Sequence, residues 1–444
     1  DTVPTPASIW QGVYKLPPAT YLVAQEGSIG QPVPFWRLSA PLRRDCSPTE
    51  AVDLLRTTID QAVADRLIAD VPLGLFLSGG MDSAVVAASA ARQAGRKISA
   101  FTIGFDDPSH DETQAARAVA HALFLDHHVM MLFEKDALGM LDEAVECLDE
   151  PLADPAIIPQ LLLARFAKQR VTVALAGDGG DELLYGYQHV PLHALAMKYP
   201  RSWRGLGVLA PFLRAIPASH GYFSPGFKTQ RLARGLGESD VWARDLAWRG
   251  ACSASEMGEL FVHDIRQQID IQQAETMMRA LGQEVAPWAT AWQEWSWGYL
   301  RSFLMDEVMV KVDRATMWFG VEGRSPLLDH RVVEAAFSIP DRYKLGQWKG
   351  KRLFREILKG VIQEEVLDRP KHGFGVPVAD WLRGSLRDRL ESFAELSFLA
   401  KQGLFEGKTI ARWIREHEKG RQDRRKELWA FLMFQLWYAR WKIR

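Results

Sequence analysis

Two short stretches bring small, hydroxyl and acidic residues together at a spacing suited to holding a phosphate and its metal. The first is Leu75-Phe76-Leu77-Ser78-Gly79-Gly80-Met81-Asp82-Ser83. An apolar run ends in Ser-Gly-Gly and passes directly into a helical pattern whose first turn holds Asp82 and Ser83. Glycine lets the backbone turn sharply and approach a ligand closely. A helix N-terminus beyond it offers backbone N–H groups and the positive end of a dipole. The plain alternative is a strand-to-helix turn in which Asp82 only caps the helix. Five specified residues in the pattern Ser-Gly-Gly-x-Asp-Ser arise by chance in a chain of this length roughly once in a thousand, which favours the anion cradle. No lysine follows the glycines, so this is not a Walker A loop.

The second stretch, Ala176-Gly177-Asp178-Gly179-Gly180-Asp181-Glu182, sets three carboxylates among three glycines immediately after an apolar run. Magnesium prefers carboxylate oxygens and commonly bridges substrate phosphates, so this turn is a candidate metal-and-phosphate site. Two further stretches carry charge. Val308–Ala315 contains Lys311, Asp313 and Arg314 and leads to Glu322-Gly323-Arg324-Ser325-Pro326-Leu327-Leu328-Asp329-His330. Its charges either form an internal ion-pair network or reach substrate, and the residues alone do not choose. Gly350-Lys351-Arg352 is followed by Arg369-Pro370-Lys371-His372-Gly373-Phe374-Gly375-Val376-Pro377. A lysine on a glycine-bracketed loop can enter a pocket as a mobile point charge. The alternative for Lys351 and Lys371 is an ordinary surface lysine.

The elements that must position these stretches follow from periodicity. Ala51, Leu54, Leu55, Thr58, Ile59, Ala62 and Val63 recur at helical spacing. Short apolar runs then alternate with helical segments. Leu73–Leu77, Ile98–Gly104, His127–Leu132 and Val171–Ala176 read as strands, and Asp82–Ala94, Asp111–Leu123 and Ile157–Gln169 as helices. That alternation predicts an α/β fold, a mostly parallel sheet with helices on both faces. Beyond about residue 190 the strand signals fade and helical, Trp-containing segments dominate. Leu428–Tyr438 is too short for a bilayer and reads as a buried helix. Residues 1–45 are rich in Pro and Gly, with short extended runs such as Thr20–Ala24, and read as a linker or the trailing edge of a preceding domain.

Composition narrows the class. Basic residues number 54 and acidic residues 55, which gives no general electrostatic reason to expect a nucleic-acid partner. The basic run within Lys419–Lys426 reads as a solvated helix face. Cys46, Cys147 and Cys252 form no CxxC pair, as in a reducing cytoplasm. Neither a secretory leader nor a membrane-spanning stretch is expected, so no membrane partner is. The chain opens at Asp1 rather than Met, as a processed product or fragment would.

The Ser78–Ser83 loop resembles the pyrophosphate-binding loop of the N-type ATP pyrophosphatases, with a PP-loop, adenine nucleotide alpha hydrolase-like fold. All four stretches, in this order and separation, resemble the synthetase domain of asparagine synthetase over roughly residues 48–444, Asp149-Glu150-Pro151 and the Trp-rich end included. Gly12, Leu16-Pro17-Pro18 and Tyr21 look like the tail of that family's glutaminase domain. The resemblance implies a nucleotide-binding α/β core over 46–200 and a mainly helical completion over 201–444 that carries Lys351 and Lys371. It also implies an AMP-forming ligase that uses ATP and Mg2+ to adenylate a carboxylate, most simply the aspartate side chain, for displacement by ammonia. Ser78, Gly79, Gly80 and Ser83 would hold pyrophosphate. Leu77, Ile103, Ala176 and Gly177 would line the adenosine pocket, and Asp82 and Asp181 would bind the metal. Lys371 would stabilise charge at the α-phosphate, with Lys351 near the phosphates. Asp178 falls where asparagine synthetases often carry Glu and β-lactam synthetases Tyr. An acid there suits steering ammonia or taking its proton.

The N-terminal nucleophilic cysteine of a glutaminase is absent from this chain, so either that half was removed or is supplied by a partner, or free ammonia is used. A homodimer is a further expectation. The alternatives share the first half-reaction but differ in acceptor: β-lactam or peptide cyclisation, or amidation of a sugar acid or other carboxylate. A non-catalytic nucleotide-binding scaffold is disfavoured because Asp82, Asp181, Lys351 and Lys371 are all retained.

Overall fold

The computed structural model describes residues 1–40, 45–218, 224–346, 350–369 and 375–441. Helix α1 (Pro48–Leu67) starts where a capping box dictates: Ser47 Oγ accepts from the Glu50 N–H at 3.3 Å, and the Glu50 carboxylate accepts from the Ser47 N–H at 2.8 Å. The expected apolar stripe of this helix is inward, with Ala51, Leu55, Ile59, Ala62 and Val63 buried.

Before α1 lie two small antiparallel ladders, β1 (Thr20–Tyr21) with β4 (Val33–Pro34) and β2 (Ala24–Gln25) with β3 (Ser28–Ile29). After it comes the α/β alternation. Strand β5 (Leu73–Phe76) leads to α2 (Met81–Gln93), and β6 (Ser99–Phe105) to α3 (Thr113–Ala122). Strand β7 (Asp126–Leu132) is followed by α4 (Glu134–Gly139), α5 (Leu141–Cys147) and α6 (Ile157–Lys168). Strand β8 (Val173–Leu175) leads to the single turn α7 (Gly180–Leu183), then α8 (Val190–Lys198) and α9 (Pro200–Leu206). Glu322–Arg324 forms β9. The sheet is wholly parallel, in the order β7-β6-β5-β8-β9.

Alternation along the strands divides the core. Leu73, Leu75 and Ala100 join α1 and α2 in one apolar cluster, whereas Phe76, Phe101, Ile103 and Phe105 join α6 and the final helix Arg425–Trp441 in the other. Both faces are therefore covered, as continuous apolar strands require.

Strand β9 lies in the stretch read as helical. Its residues Glu322, Gly323 and Arg324 are largely exposed and carry no apolar period. It pairs with β8 through Val173↔Glu322 and Leu175↔Arg324. The basic run also departs from expectation. Arg424 pairs with Glu256, Glu416 and the buried Glu427, Arg425 pairs with Asp423, and the Lys426 ammonium donates to the Arg249 carbonyl at 2.5 Å. The run joins two helices, and these three cations point into an ion-pair network rather than to solvent. Charge patterning gives sign and spacing, but the acids that draw the run inward are supplied by remote segments.

Candidate active site

Strand order reverses between β5 and β8: the chain leaves β5 for β6 and β7 on one side, then returns to β8 on the other. In open parallel sheets, the crevice beyond the strand carboxyl ends at such a point is where ligands bind. Both glycine-rich turns sit there, one after β5 and one after β8.

The first turn is braced by its own side chains. Ser83 Oγ donates to the Gly80 carbonyl at 3.1 Å and accepts the Ser78 N–H at 3.3 Å, while the Gly80 N–H donates to Ser78 Oγ at 3.3 Å. Gly79 has φ +75°, and a Cβ there would meet Ala116 N at 2.7 Å, so both conformation and space call for glycine. Gly80 stands at the N-cap of α2 and has no side chain to cap the first helical N–H groups. The two turns nearly touch: a Cβ on Gly177 would lie 2.6 Å from Ser83 N, and one on Gly180 would lie 2.5 Å from Asp82 Oδ1.

That contact brings the two acids together. Lys351 Nζ lies 2.5 Å from Asp82 Oδ2 and 2.7 Å from Asp181 Oδ1. Burial works against the ammonium, but Asp181 and Asp82 outweigh it and hold the Lys351 pKa above the ordinary lysine value. Lys351 is 4% exposed and adopts φ +59°, which is uncommon for a side-chain-bearing residue. Of the two readings open from the sequence, a pocket charge or a surface lysine, the burial and pairing of Lys351 agree with the first.

A pocket of about 360 Å³ opens from this point. Leu77, Ser78, Asp82, Ser83, Ile103, Ala176, Gly177, Asp178 and Asp181 all line it. Gly79 and Gly80 shape the turn behind them. Lys371 lies outside the described residues. Asp178 accepts from Ser325 Oγ at 3.1 Å, and burial raises its pKa despite that bond and the nearby Lys311. Lys311 also lines the pocket and pairs with Asp154 at 2.5 Å, whereas Arg314 pairs with Asp149 at a more exposed position. The third charged stretch thus divides between pocket wall and surface pair.

Several wall residues were not singled out from the sequence. Phe101 and Phe105 flank Ile103 on β6, and Thr102 donates to the Leu77 carbonyl at 2.6 Å. Tyr187 donates to the Glu182 carboxylate, and both line the pocket. Phe303, Leu304 and Val308 come from a π-helical stretch, Leu300–Val308. Such stretches recur at functional sites, but no residue pattern announces this one. The nearest sequence signal was Glu182, already inside the second glycine turn.

In charge and donor type the arrangement fits a magnesium-bound nucleoside triphosphate. Two carboxylates meet at one cationic point beside a helix N-terminus and serine hydroxyls, with an apolar aromatic wall alongside.

Residues 54–439 match the family model described as asparagine synthase. A putative glutamine-hydrolyzing asparagine synthetase of Mycobacterium bovis is 29% identical, over 98% of this chain and 65% of its own length. Asparagine synthetase [glutamine-hydrolyzing] 1 of Bacillus subtilis is 26% identical, over 98% of this chain and 67% of its own. The amidase chry2 of Gibberella zeae is 25% identical, over 86% of this chain and 61% of its own. The chain therefore spans about two thirds of the length of these relatives.

Proposed function

The chain belongs to the asparagine synthase family, and from that premise we propose that it is the ATP-dependent, amide-forming part of a carbon–nitrogen ligase, with the aspartate side chain as acceptor. Asp82 and Asp181 converging on Lys351 Nζ, at 2.5 and 2.7 Å beside the N-terminus of α2, is the observation that carries this reading.

The acceptor carboxylate attacks the α-phosphate of ATP, and pyrophosphate departs. Ammonia then attacks the acyl adenylate and AMP leaves. Ser78, Gly79, Gly80 and Ser83 would bind the departing diphosphate through N–H and O–H groups, those that now donate within the turn being redirected to it as charge develops. Leu77, Ile103, Ala176 and Gly177 would hold the adenosine. Asp82 and Asp181 would hold Mg2+, which when bound offsets negative charge on the phosphates. Lys351 would keep the two carboxylates together and ionised, and Lys371 would serve the α-phosphate. Asp178, with its raised pKa, would accept a proton from the attacking ammonia.

The chain's early segment supports a partner half that supplies ammonia. Tyr14, Ile29 and Phe35 are 75%, 73% and 70% exposed, apolar area that a glutaminase domain or subunit would cover.

A second reading keeps the adenylation and changes the acceptor. Phe303, Leu304 and Val308 make one side of the pocket apolar, which favours a carboxylate larger than aspartate. Product analysis with ATP, ammonia and a panel of carboxylates separates the two. Aspartate-dependent AMP and asparagine support the first reading, and amide formation only from a larger acid supports the second.

A further inference from the structure

Residues 200–214 form an almost unbroken helical run: α9, a 3-10 turn over Gly207–Leu209, and a last turn over Ala210–Arg214. It packs inward through Trp203 and Ala210, both buried, and Trp203 stands edge-on to Trp248 with ring centroids 6.0 Å apart. A surface helix ordinarily turns polar residues outward. Here the outward side is apolar. Val208 and Phe212, one turn apart, are 73% and 74% exposed, and Leu206, Leu209 and Ile216 stand beside them at 42%, 45% and 40%. An apolar ridge of this kind on an otherwise ordinary surface marks an interaction site.

The charge along this part of the chain is one-sided. The chain as a whole is balanced, yet between Glu182 and Glu238 it contains no acidic residue. Lys198, Arg201, Arg204 and Arg214 flank the ridge and are exposed. Among the described residues, Arg201, Arg204 and Arg214 enter no ion pair. A second copy joined through the same ridge about a twofold axis would oppose these cations with identical ones, because such an interface uses one patch twice. The covering surface must therefore be apolar beneath and negative above.

We propose that the Leu206–Ile216 ridge docks the protein, peripherally and reversibly, on an anionic phospholipid surface. Val208, Leu209 and Phe212 would enter the boundary between headgroups and acyl chains while Lys198, Arg201, Arg204 and Arg214 meet the headgroup phosphates. No helix among the described residues is long and apolar enough to cross a membrane, and this contact needs none. The sequence expectation of no membrane partner rested on the lack of a spanning stretch, which does not bear on surface docking. Helix α8 joins the ridge to the turn that carries Asp178 and Asp181, but the proposal stands apart from the chemistry of that turn.

The test is co-sedimentation of the whole chain with phosphatidylcholine vesicles, with and without phosphatidylglycerol. We expect binding to the mixed vesicles about tenfold above that to the neutral ones, fading as salt screens the cations. Val208→Ser with Phe212→Ser should lower it about tenfold while leaving the circular dichroism spectrum and nucleotide chemistry unchanged. If that variant misfolds, Arg201→Gln with Arg204→Gln tests the same surface, because each cation near an anionic leaflet contributes about fivefold. Equal binding to both vesicle types, or undiminished binding by folded variants, overturns the proposal. Self-association in sedimentation velocity that Phe212→Ser abolishes would overturn it as well, by assigning the ridge to a protein contact.

Discussion

Gly177 and Ser83 stand so close that a Cβ on the first would lie 2.6 Å from the backbone nitrogen of the second. The turn after β8 and the turn after β5 therefore share one backbone contact at the point where strand order reverses. Gly177→Ala must push them apart. Overpacking of this kind costs about 1–3 kcal/mol, so the variant should fold with a lowered melting temperature. Its ATP–pyrophosphate exchange should fall about a hundredfold, because small misplacements of reacting groups carry penalties of that size. Thermal unfolding and exchange, measured on one preparation, check both.

Lys351 should matter to stability before it matters to chemistry. Lys351→Met leaves the partly buried Asp82 and Asp181 facing each other, and since loss of one member of a fully buried pair costs about 3–5 kcal/mol, the loss here should reach at most that range. Magnesium should return part of that loss, seen as a larger rise in melting temperature on adding Mg2+ than the unaltered protein shows. The sign in pH follows from the raised pKa. The stabilisation is full below the ordinary lysine value of 10.5 and is lost only as pH rises through the higher folded value. Between neutral pH and 10, the stability difference between the two proteins should stay flat.

Asp178 separates the two half-reactions. Asp178→Asn should keep exchange within a few-fold and lower amide formation by about 10²–10⁴, the usual contribution of a placed base. Since burial raises this carboxyl above its ordinary 3.8, amide formation should decline, as pH falls, at a higher pH than an exposed aspartate would dictate. Stopped assays of AMP and amide at matched free-ammonia concentrations read this directly.

How much of the fold and site was legible in the sequence depended on range. The strand–turn–helix units around Ser78 and Gly177 came from local apolar runs and glycines, whereas the meeting of Asp82 and Asp181 followed from the family resemblance and not from local pattern. Strand β9 was hidden because a three-residue polar edge strand has no period to detect, and what defines it is its partner β8. Phe303 was missed for a related reason: an aromatic in a helical stretch reads as core until the cavity beside it is known. In the basic run, local pattern gives the sign of each charge but not its neighbours. Arg424 turns inward because Glu256, far along the chain, is there to meet it.

His193 offers a pH test away from the pocket. It is fully buried, and desolvation lowers its pKa to about 4 in spite of Asp245. Arg244 Nε donates to His193 Nδ1 at 3.0 Å, leaving the Nε2 proton for Asp245 Oδ1 at 3.3 Å, with His189, Arg249 and Tyr299 also facing that carboxylate. The spacing of His189, His193 and Asp245 would suit a metal ion, but a protonated Nε2 is a donor and not a ligand. As pH falls from 6.5 towards 4, the unfolded chain gains a proton that the folded one refuses, so stability drops by about 3 kcal/mol across that window. In His193→Gln that part of the decline should vanish from urea unfolding curves taken between those pH values.

The proposed chemistry depends above all on a diphosphate leaving between the two turns while Asp82 and Asp181 share one cation. The decisive assay is carboxylate-dependent exchange of labelled pyrophosphate into ATP, in the unaltered protein and in Asp82→Asn and Asp181→Asn. Robust exchange is expected, and each substitution should lower it at least about a hundredfold in folded protein. Release of ADP and phosphate in place of exchange, or exchange that survives either substitution, would contradict this chemistry.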